Sequence, residues 1–224
     1  MPTALVTGAN RGIGLAVARD LARDHDVIFA MRDLGKAPPD ARVEQLDVSL
    51  PDSIDAFADR LKGPLDVLVN NAGVYTGSPR DIWAVNVRGP LLLTRALTPK
   101  LARGARVVMV TSGLGALSGQ PEPLVRRLQD PSLTFDDILA LCERPPGGYG
   151  PSKAALNALT RLFARELPEA RVNAVNPGWV RTEMGGPGAP RSVEQGAASV
   201  LWACRIPPDG PTGGIFRDGL PASW

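Results

Sequence analysis

Seven short β-branched apolar runs, Thr3–Thr7, Val27–Met31, Val43–Val48, Leu65–Val69, Val107–Thr111, Val172–Val175 and Ile215–Phe216, alternate along the chain with segments of a different period. Around 12–23, 53–62, 81–102, 152–167 and 192–204 the apolar residues recur at three- and four-residue spacings, and Ser192 with Gln195 forms a capping box at the start of the last. Alternation of β and α predicts a parallel sheet covered on both faces, a doubly wound α/β architecture of about seven strands. One connection is too thin for that scheme. Asp33 to Arg42 contains Gly35, Pro38 and Pro39 where a crossover helix would stand, so that helix is expected to be absent or reduced to a turn. No internal repeat is present, and the Pro-rich stretches at 36–39, 121–131 and 207–211 are too short to act as linkers between domains. Residues 1–224, 44% of them hydrophobic, are expected to share one core.

The charge pattern removes several function classes. Lys and Arg number 25 against 23 Asp and Glu, a net charge of +2, and no long basic run is present to track a phosphate backbone, so nucleic acid is not an expected partner. Cys142 and Cys204 belong to no C-x-x-C pair or histidine cluster, and no metal site is expected. His25, the lone histidine, is expected as a solvated loop residue. No basic leader precedes an apolar stretch and no apolar run approaches the roughly 18 residues of a membrane span, so a soluble cytoplasmic protein is expected.

The first strand runs directly into Thr7-Gly8-Ala9-Asn10-Arg11-Gly12-Ile13-Gly14 and then a helix. In that setting Gly8 turns the chain, Gly12 lets the backbone approach a pyrophosphate and Gly14 allows close helix–strand packing, with the phosphate at the helix N-terminus. The whole loop, with Asn10, Arg11 and Ile13 between its glycines, is therefore read as a nucleotide cradle. About 20 residues on, the acid that would take a ribose 2′-hydroxyl is absent, and Met31 is followed by Arg32. Arg32 and Arg11 could pair with a 2′-phosphate, favouring NADP(H) over NAD(H), although Asp33 is a rival partner for Arg32.

A second group of residues can react. Tyr149 and Lys153 are four apart and share one helix face, and Pro151 is tolerated only in a first turn, which puts Tyr149 at the mouth of the helix. An ammonium beside the phenol is expected to lower its pKa from about 10 toward working pH. Ser112 ends the fifth strand, where its hydroxyl could hold a carbonyl oxygen that gains charge; Thr111 is the rival, and a turn serine the plainer alternative. Asn86 sits mid-helix four residues before Pro90, which has no N–H to give the Asn86 carbonyl, so a kink with one free acceptor, suited to a water, is expected.

The glycine loop, Asn70-Asn71-Ala72-Gly73, Ser112 with Gly115 three residues on, and Tyr149 with Lys153 occur in an order that resembles the short-chain dehydrogenases/reductases over essentially the entire chain. The stretch Pro177-Gly178-Trp179-Val180-Arg181-Thr182 and the terminal Trp224 resemble the carbonyl reductase branch. The resemblance implies a Rossmann-type fold and NADPH-dependent reduction of a small ketone, aldehyde or quinone. It implies Tyr149 as proton donor, Ser112 polarising the carbonyl, Lys153 holding the nicotinamide ribose and tuning Tyr149, and Asn86 supporting a water relay toward Lys153. It also implies Asp47 and Val48 near the adenine, Asn71, Ala72 and Gly73 under the adenosine ribose, and Val180 and Thr182 at the nicotinamide amide, with Pro177 and Gly178 in the same cofactor-binding stretch. Trp179 is a candidate pocket wall.

The chain also departs from that family. Thirty-seven positions separate Ser112 from Tyr149, more than in many members, and the extra segment at about 119–146 contains a helical period over Phe135–Cys142. Similar insertions accompany monomeric carbonyl reductases, where they cover the helix surface that relatives use to dimerise, so a monomer is expected, with a homo-oligomer as the alternative. Glu183 to Arg191, rich in Gly and Pro, is expected as a small mobile lid. Two other functions remain open: a non-catalytic NADP(H) sensor or partner-binding protein on the same fold, and a nucleotide-sugar epimerase or dehydratase, for which the chain after Val193 leaves little room.

Overall fold

A computed structural model describes all residues 1–224. Seven parallel strands, β1 (Thr3–Thr7), β2 (Asp26–Met31), β3 (Arg42–Gln45), β4 (Leu65–Asn70), β5 (Leu101–Val110), β6 (Arg171–Val175) and β7 (Ile215–Arg217), join β8 (Leu220–Pro221) in one sheet of order β3-β2-β1-β4-β5-β6-β7-β8. Only β7 and β8 are antiparallel. The helices are α1 (Gly12–Leu21), α2 (Pro51–Arg60), α3 (Pro79–Trp83), α4 (Gly89–Leu97), α5 (Glu122–Gln129), α6 (Phe135–Glu143), α7 (Tyr149–Glu166) and α8 (Val193–Cys204).

The period of two along each strand divides the core into two layers. Leu5, Ile28, Ala30, Leu68, Val107 and Val172 face α2, α4 and α7, whereas Ala4, Val6, Val27, Phe29, Val69 and Val108 face α1 and α8. Both faces are covered, which is why the strands read as nearly continuous apolar runs.

Several expected boundaries move, each for a local reason. The β2–β3 crossover is a single 3-10 turn, Leu34–Lys36. β3 stops at Gln45 rather than Val48, because Asp47 Oδ1 accepts from the Ser49 N–H (2.9 Å) and hydroxyl (2.6 Å) and turns the chain. The segment expected as one helix over 81–102 ends at Leu97. Thr98–Lys100, holding Pro99, forms a 3-10 turn, and Leu101 already belongs to β5. The unpredicted β8 follows a tight turn in which Asp218 and Gly219 have φ of 53° and 78°. His25 is not freely solvated: its side chain is 12% exposed, with Nδ1 2.7 Å from the Asp24 carboxylate.

The inserted segment forms α5 and α6 and packs on α7. Leu124, Leu128, Leu133 and Ile138 are buried in the same core as Ala155, Leu159 and Phe163, each such large side chain contributing about 1.5–3 kcal/mol. Phe135 lies 4.7 Å from the Phe163 ring, centroid to centroid. As a result α7 has no exposed stripe from Ser152 to Thr160. At the chain end Trp224 folds back under the Arg161 guanidinium, 4.7 Å from the ring centroid.

Candidate active site

The carboxyl ends of β1, β4, β5 and β6 deliver the predicted residues to one edge of the sheet, as expected for an open parallel sheet. After β1 the backbone at Gly8 and Gly12 has φ of +65° and +55°, which glycine adopts without strain. A Cβ at Gly14 would collide with Asn71 Nδ2 and lie 2.5 Å from the Gly8 carbonyl oxygen, so α1 can start this close to the sheet only without one. No side chain caps α1 and its first turn holds no acid, which leaves the N–H groups there directed outward with their positive dipole end.

Asn71 braces this loop. Its Nδ2 donates to the Thr7 carbonyl at 2.8 Å, while the Thr7 hydroxyl accepts from the Asn71 and Ala72 N–H groups at 3.0 and 2.9 Å. On the far side Thr182 stands against Gly12, since a Cβ there would lie 3.3 Å from Thr182 Cγ2. The Val180 carbonyl accepts from the Thr182 N–H at 2.9 Å, and the Gly178 N–H, next to Pro177, donates to Asn176 Oδ1 at 2.9 Å. Ile13 packs into the α1–α8 layer. A narrow polar cradle built of backbone N–H groups at a helix start fits a dinucleotide pyrophosphate.

The two arginines have different surroundings. Arg11, next to Asn10 in the loop, forms an ion pair with Glu183 across the cradle. Arg32 has no carboxylate within 4.0 Å; Asp33 turns instead to Lys36 Nζ (3.7 Å) and the Gly35 N–H (3.0 Å). Arg32, Asp47, Leu50, Ser53 and Arg60 line a depression of about 360 Å³ next to β3. Val48 is buried beside them.

Tyr149 is the first residue of α7, as Pro151 requires, and Trp83 Nε1 anchors the approach by donating to the Gly147 carbonyl at 2.8 Å. One turn on, Lys153 is 4% exposed; its Nζ lies 5.6 Å from the Tyr149 ring centroid and donates to the Val110 carbonyl at 2.8 Å. Burial pulls the lysine pKa down to about 8. The expected lowering of the phenol is not found. Burial raises the Tyr149 pKa, the nearby Ser112 hydroxyl opposes that shift, and Tyr75 adds to it. Desolvation outweighs the one hydrogen bond that lowers it, from Ser112. The Thr111 hydroxyl points to the Lys153 carbonyl at 3.4 Å, whereas the Ser112 hydroxyl is the one within hydrogen-bonding reach of the Tyr149 phenol. The turn after Ser112 is held by Gln120, whose Nε2 donates to the Leu114 and Ala116 carbonyls, both at 2.9 Å.

Asn86 is completely buried in a π-helical turn, Ala84–Arg88, which is how the helix absorbs Pro90. Its side chain is fully engaged: Nδ2 donates to the Val74 carbonyl (2.9 Å) and Ser152 Oγ (3.1 Å), and Oδ1 accepts from the Val74 N–H at 2.9 Å. Gly73 lies between Asn86 and Lys153, 3.3 Å from Oδ1 and 3.6 Å from Nζ at the position of a Cβ.

Sequence reasoning missed Tyr75, Ser152 and Glu183. Tyr75 closely follows the Asn70–Gly73 motif, and its place there was the available signal. The expected lid is tied down by short contacts: Trp179 Nε1 donates to the Gly185 carbonyl at 2.8 Å and the Gly185 N–H to Thr182 Oγ1 at 3.1 Å. Trp179 and Met184 nonetheless remain 59% and 48% exposed, as large apolar side chains on this edge. No group of three or more His, Cys, Asp or Glu side chains is placed to hold a metal ion, and no helix is long and apolar enough to cross a membrane.

A family model described as short chain dehydrogenase matches residues 2–123, and one described as Enoyl-(Acyl carrier protein) reductase matches residues 142–203. Carbonyl reductase [NADPH] 3 of Rattus norvegicus is 36% identical over 270 aligned residues, covering 99% of this chain and 98% of the relative. Carbonyl reductase [NADPH] 1 of Mus musculus is 35% identical, covering 100% and 98%. Among solved structures, salutaridine reductase from Papaver somniferum superposes with a TM-score of 0.85 at 28% identity, covering 97% of this chain and all of that one. The NADPH-bound carbonyl reductase from chicken fatty liver gives 0.77 at 27% identity, covering 100% and 94%. With a parallel sheet of this order, the glycine loop and full-length relatives of one kind, the chain belongs to the short-chain dehydrogenase/reductase family of oxidoreductases.

Proposed function

We propose that this protein reduces a small-molecule ketone, aldehyde or quinone with NADPH, and oxidises the corresponding alcohol in reverse. The reading is carried by the meeting of Tyr149, Ser112 and Lys153 at the sheet edge beside the glycine cradle, and supported by full-length relatives named as NADPH carbonyl reductases. The loop residues fit a dinucleotide, and when bound NADPH supplies the hydride that a carbonyl carbon receives. Tyr149 gives its proton to the carbonyl oxygen, and because burial holds its pKa up it is protonated and ready at neutral pH. Ser112 Oγ donates a hydrogen bond to the same oxygen, stabilising the charge that grows there. Lys153 would hold the nicotinamide ribose, and Asn86, whose amide fixes Val74 and Ser152, would carry the water of a proton relay on its backbone carbonyl.

Arg32, free of a carboxylate partner, selects the 2′-phosphate, with Arg11 joining it on exchange from Glu183. The burial of α7 under α5 and α6 supports a monomeric enzyme, its single catalytic unit spanning the chain. The identity of the substrate does not transfer from the relatives: their alignments run to 270 positions against 224 residues here, so at least 46 of their positions have no counterpart. The test is to follow NADPH and NADH absorbance side by side over a panel of aldehydes, ketones and quinones. Consumption of NADPH well ahead of NADH is expected, and no consumption with any member would overturn the reading in favour of a non-catalytic nucleotide sensor.

A further inference from the structure

The Asn86 contacts close a ring around a residue outside every motif. The Asn86 amide holds both backbone groups of Val74 at 2.9 Å and donates to Ser152 Oγ at 3.1 Å; Ser152 in turn donates to the Tyr149 carbonyl at 2.7 Å. The circuit is completed through space, because the rings of Tyr75 and Tyr149 meet edge to face, with centroids 4.9 Å apart and planes at 63°. The backbone that carries Tyr75 and the backbone that carries Tyr149 are thus fixed to each other by one buried amide.

Tyr149 needs such support. It opens α7 between Gly148 and Gly150, so neither neighbour supplies a side chain to limit its ring. The Lys153 ammonium, the Ser112 hydroxyl and the Tyr75 ring all stand near the phenol, and of these three Tyr75 has the bulk. Tyr75 is also 51% exposed. About half of this residue is thus left open to solvent directly beside the reacting phenol.

We propose that Tyr75 is a positioning and specificity-determining residue, holding the Tyr149 ring in its reacting orientation and forming the wall against which a flat substrate packs. This rests on Tyr149 being the proton donor. An edge-to-face aromatic pair is worth up to about tenfold in an equilibrium, which sets the size of the effect. The experiment measures kcat and KM for a planar quinone and a short aliphatic aldehyde, and Kd for NADPH by fluorescence, in wild type, Tyr75→Phe, Tyr75→Ala and Tyr149→Phe. Tyr75→Phe keeps the ring and is expected within about twofold of wild type on all readouts. Tyr75→Ala should lower kcat about tenfold with both substrates, raise KM about tenfold for the quinone only, and leave Kd for NADPH unchanged.

Wild-type kcat and KM in Tyr75→Ala would overturn the proposal. So would equal damage in Tyr75→Phe, which would assign the effect to the hydroxyl, or a rise in the NADPH Kd matching the fall in kcat, which would make the loop a cofactor support. Retained turnover in Tyr149→Phe would instead sink the underlying reading, whatever Tyr75 does.

Discussion

Replacing Lys153 by Met tests the electrostatics of the site without any substrate. Lys153 is 4% exposed and titrates at about 8 in the fold, against 10.5 for an ordinary lysine, because burial penalises its charge. Between those two values the unfolded chain binds a proton that the folded chain has released, so stability climbs as pH rises from about 8 toward 10.5 and is lost again as pH falls through 8. At about 1.36 kcal/mol per pH decade, the separation amounts to about 3 kcal/mol, of which roughly 2–3 kcal/mol is recovered between pH 7 and pH 10. Lys153→Met carries neither the proton nor the penalty, and the titrations of groups remote from residue 153 cancel in the comparison. Urea unfolding of both proteins at the two pH values should therefore show the wild type gaining on the variant by close to 1 M in midpoint, given a slope of about 3 kcal/mol/M for a chain of this size. The lost Lys153–Val110 hydrogen bond adds only a constant offset. A stability difference that stays flat from pH 7 to pH 10 would rule out this origin of the shift, since it would mean the amine is solvated in the fold.

Two further outcomes concern the cofactor end. Arg32→Glu places a carboxylate at the proposed 2′-phosphate contact, and the KM for NADPH is expected to rise about 10- to 100-fold while that for NADH changes little; steady-state kinetics with both nucleotides checks this. Gly14→Ala forces a methyl group against Asn71 Nδ2 and the Gly8 carbonyl, and should cost about 1–3 kcal/mol and abolish NADPH binding, read by thermal unfolding and nucleotide fluorescence. Gly188→Ala, which opens onto free space, is the control and should leave the melting temperature unchanged.

What could be read from the sequence was set by how local its cause is. The glycine cradle and the Tyr149–Lys153 pair were legible because spacing along one turn or one helix fixes them, and Pro151 pinned the helix start. The 3-10 turn at Leu34–Lys36 was legible because Pro38 and Pro39 forbid a helix. The sign of the Tyr149 shift was not, since it depends on burial in the assembled fold and on Ser112 and Tyr75, which come from the loops after β5 and β4. Asn86 was placed correctly at an interrupted helix, but the partners of its amide, Val74 and Ser152, lie 12 and 66 residues away. The Arg11–Glu183 pair joins residues 172 apart, so no pattern in the glycine loop could reveal it. The β7–β8 hairpin is different: Asp218-Gly219 carried the turn signal, and only the brevity of β8 hid it.

Proton donation by Tyr149 is isolated by single-turnover oxidation of bound NADPH with a carbonyl substrate, in wild type and in Tyr149→Phe, with NADPH affinity measured on the same samples. The variant is expected to bind NADPH as the wild type does and to oxidise it at least about 100-fold more slowly, the contribution of a positioned proton donor. Oxidation at the wild-type rate in Tyr149→Phe would contradict that role, and with it the enzymatic reading of the site.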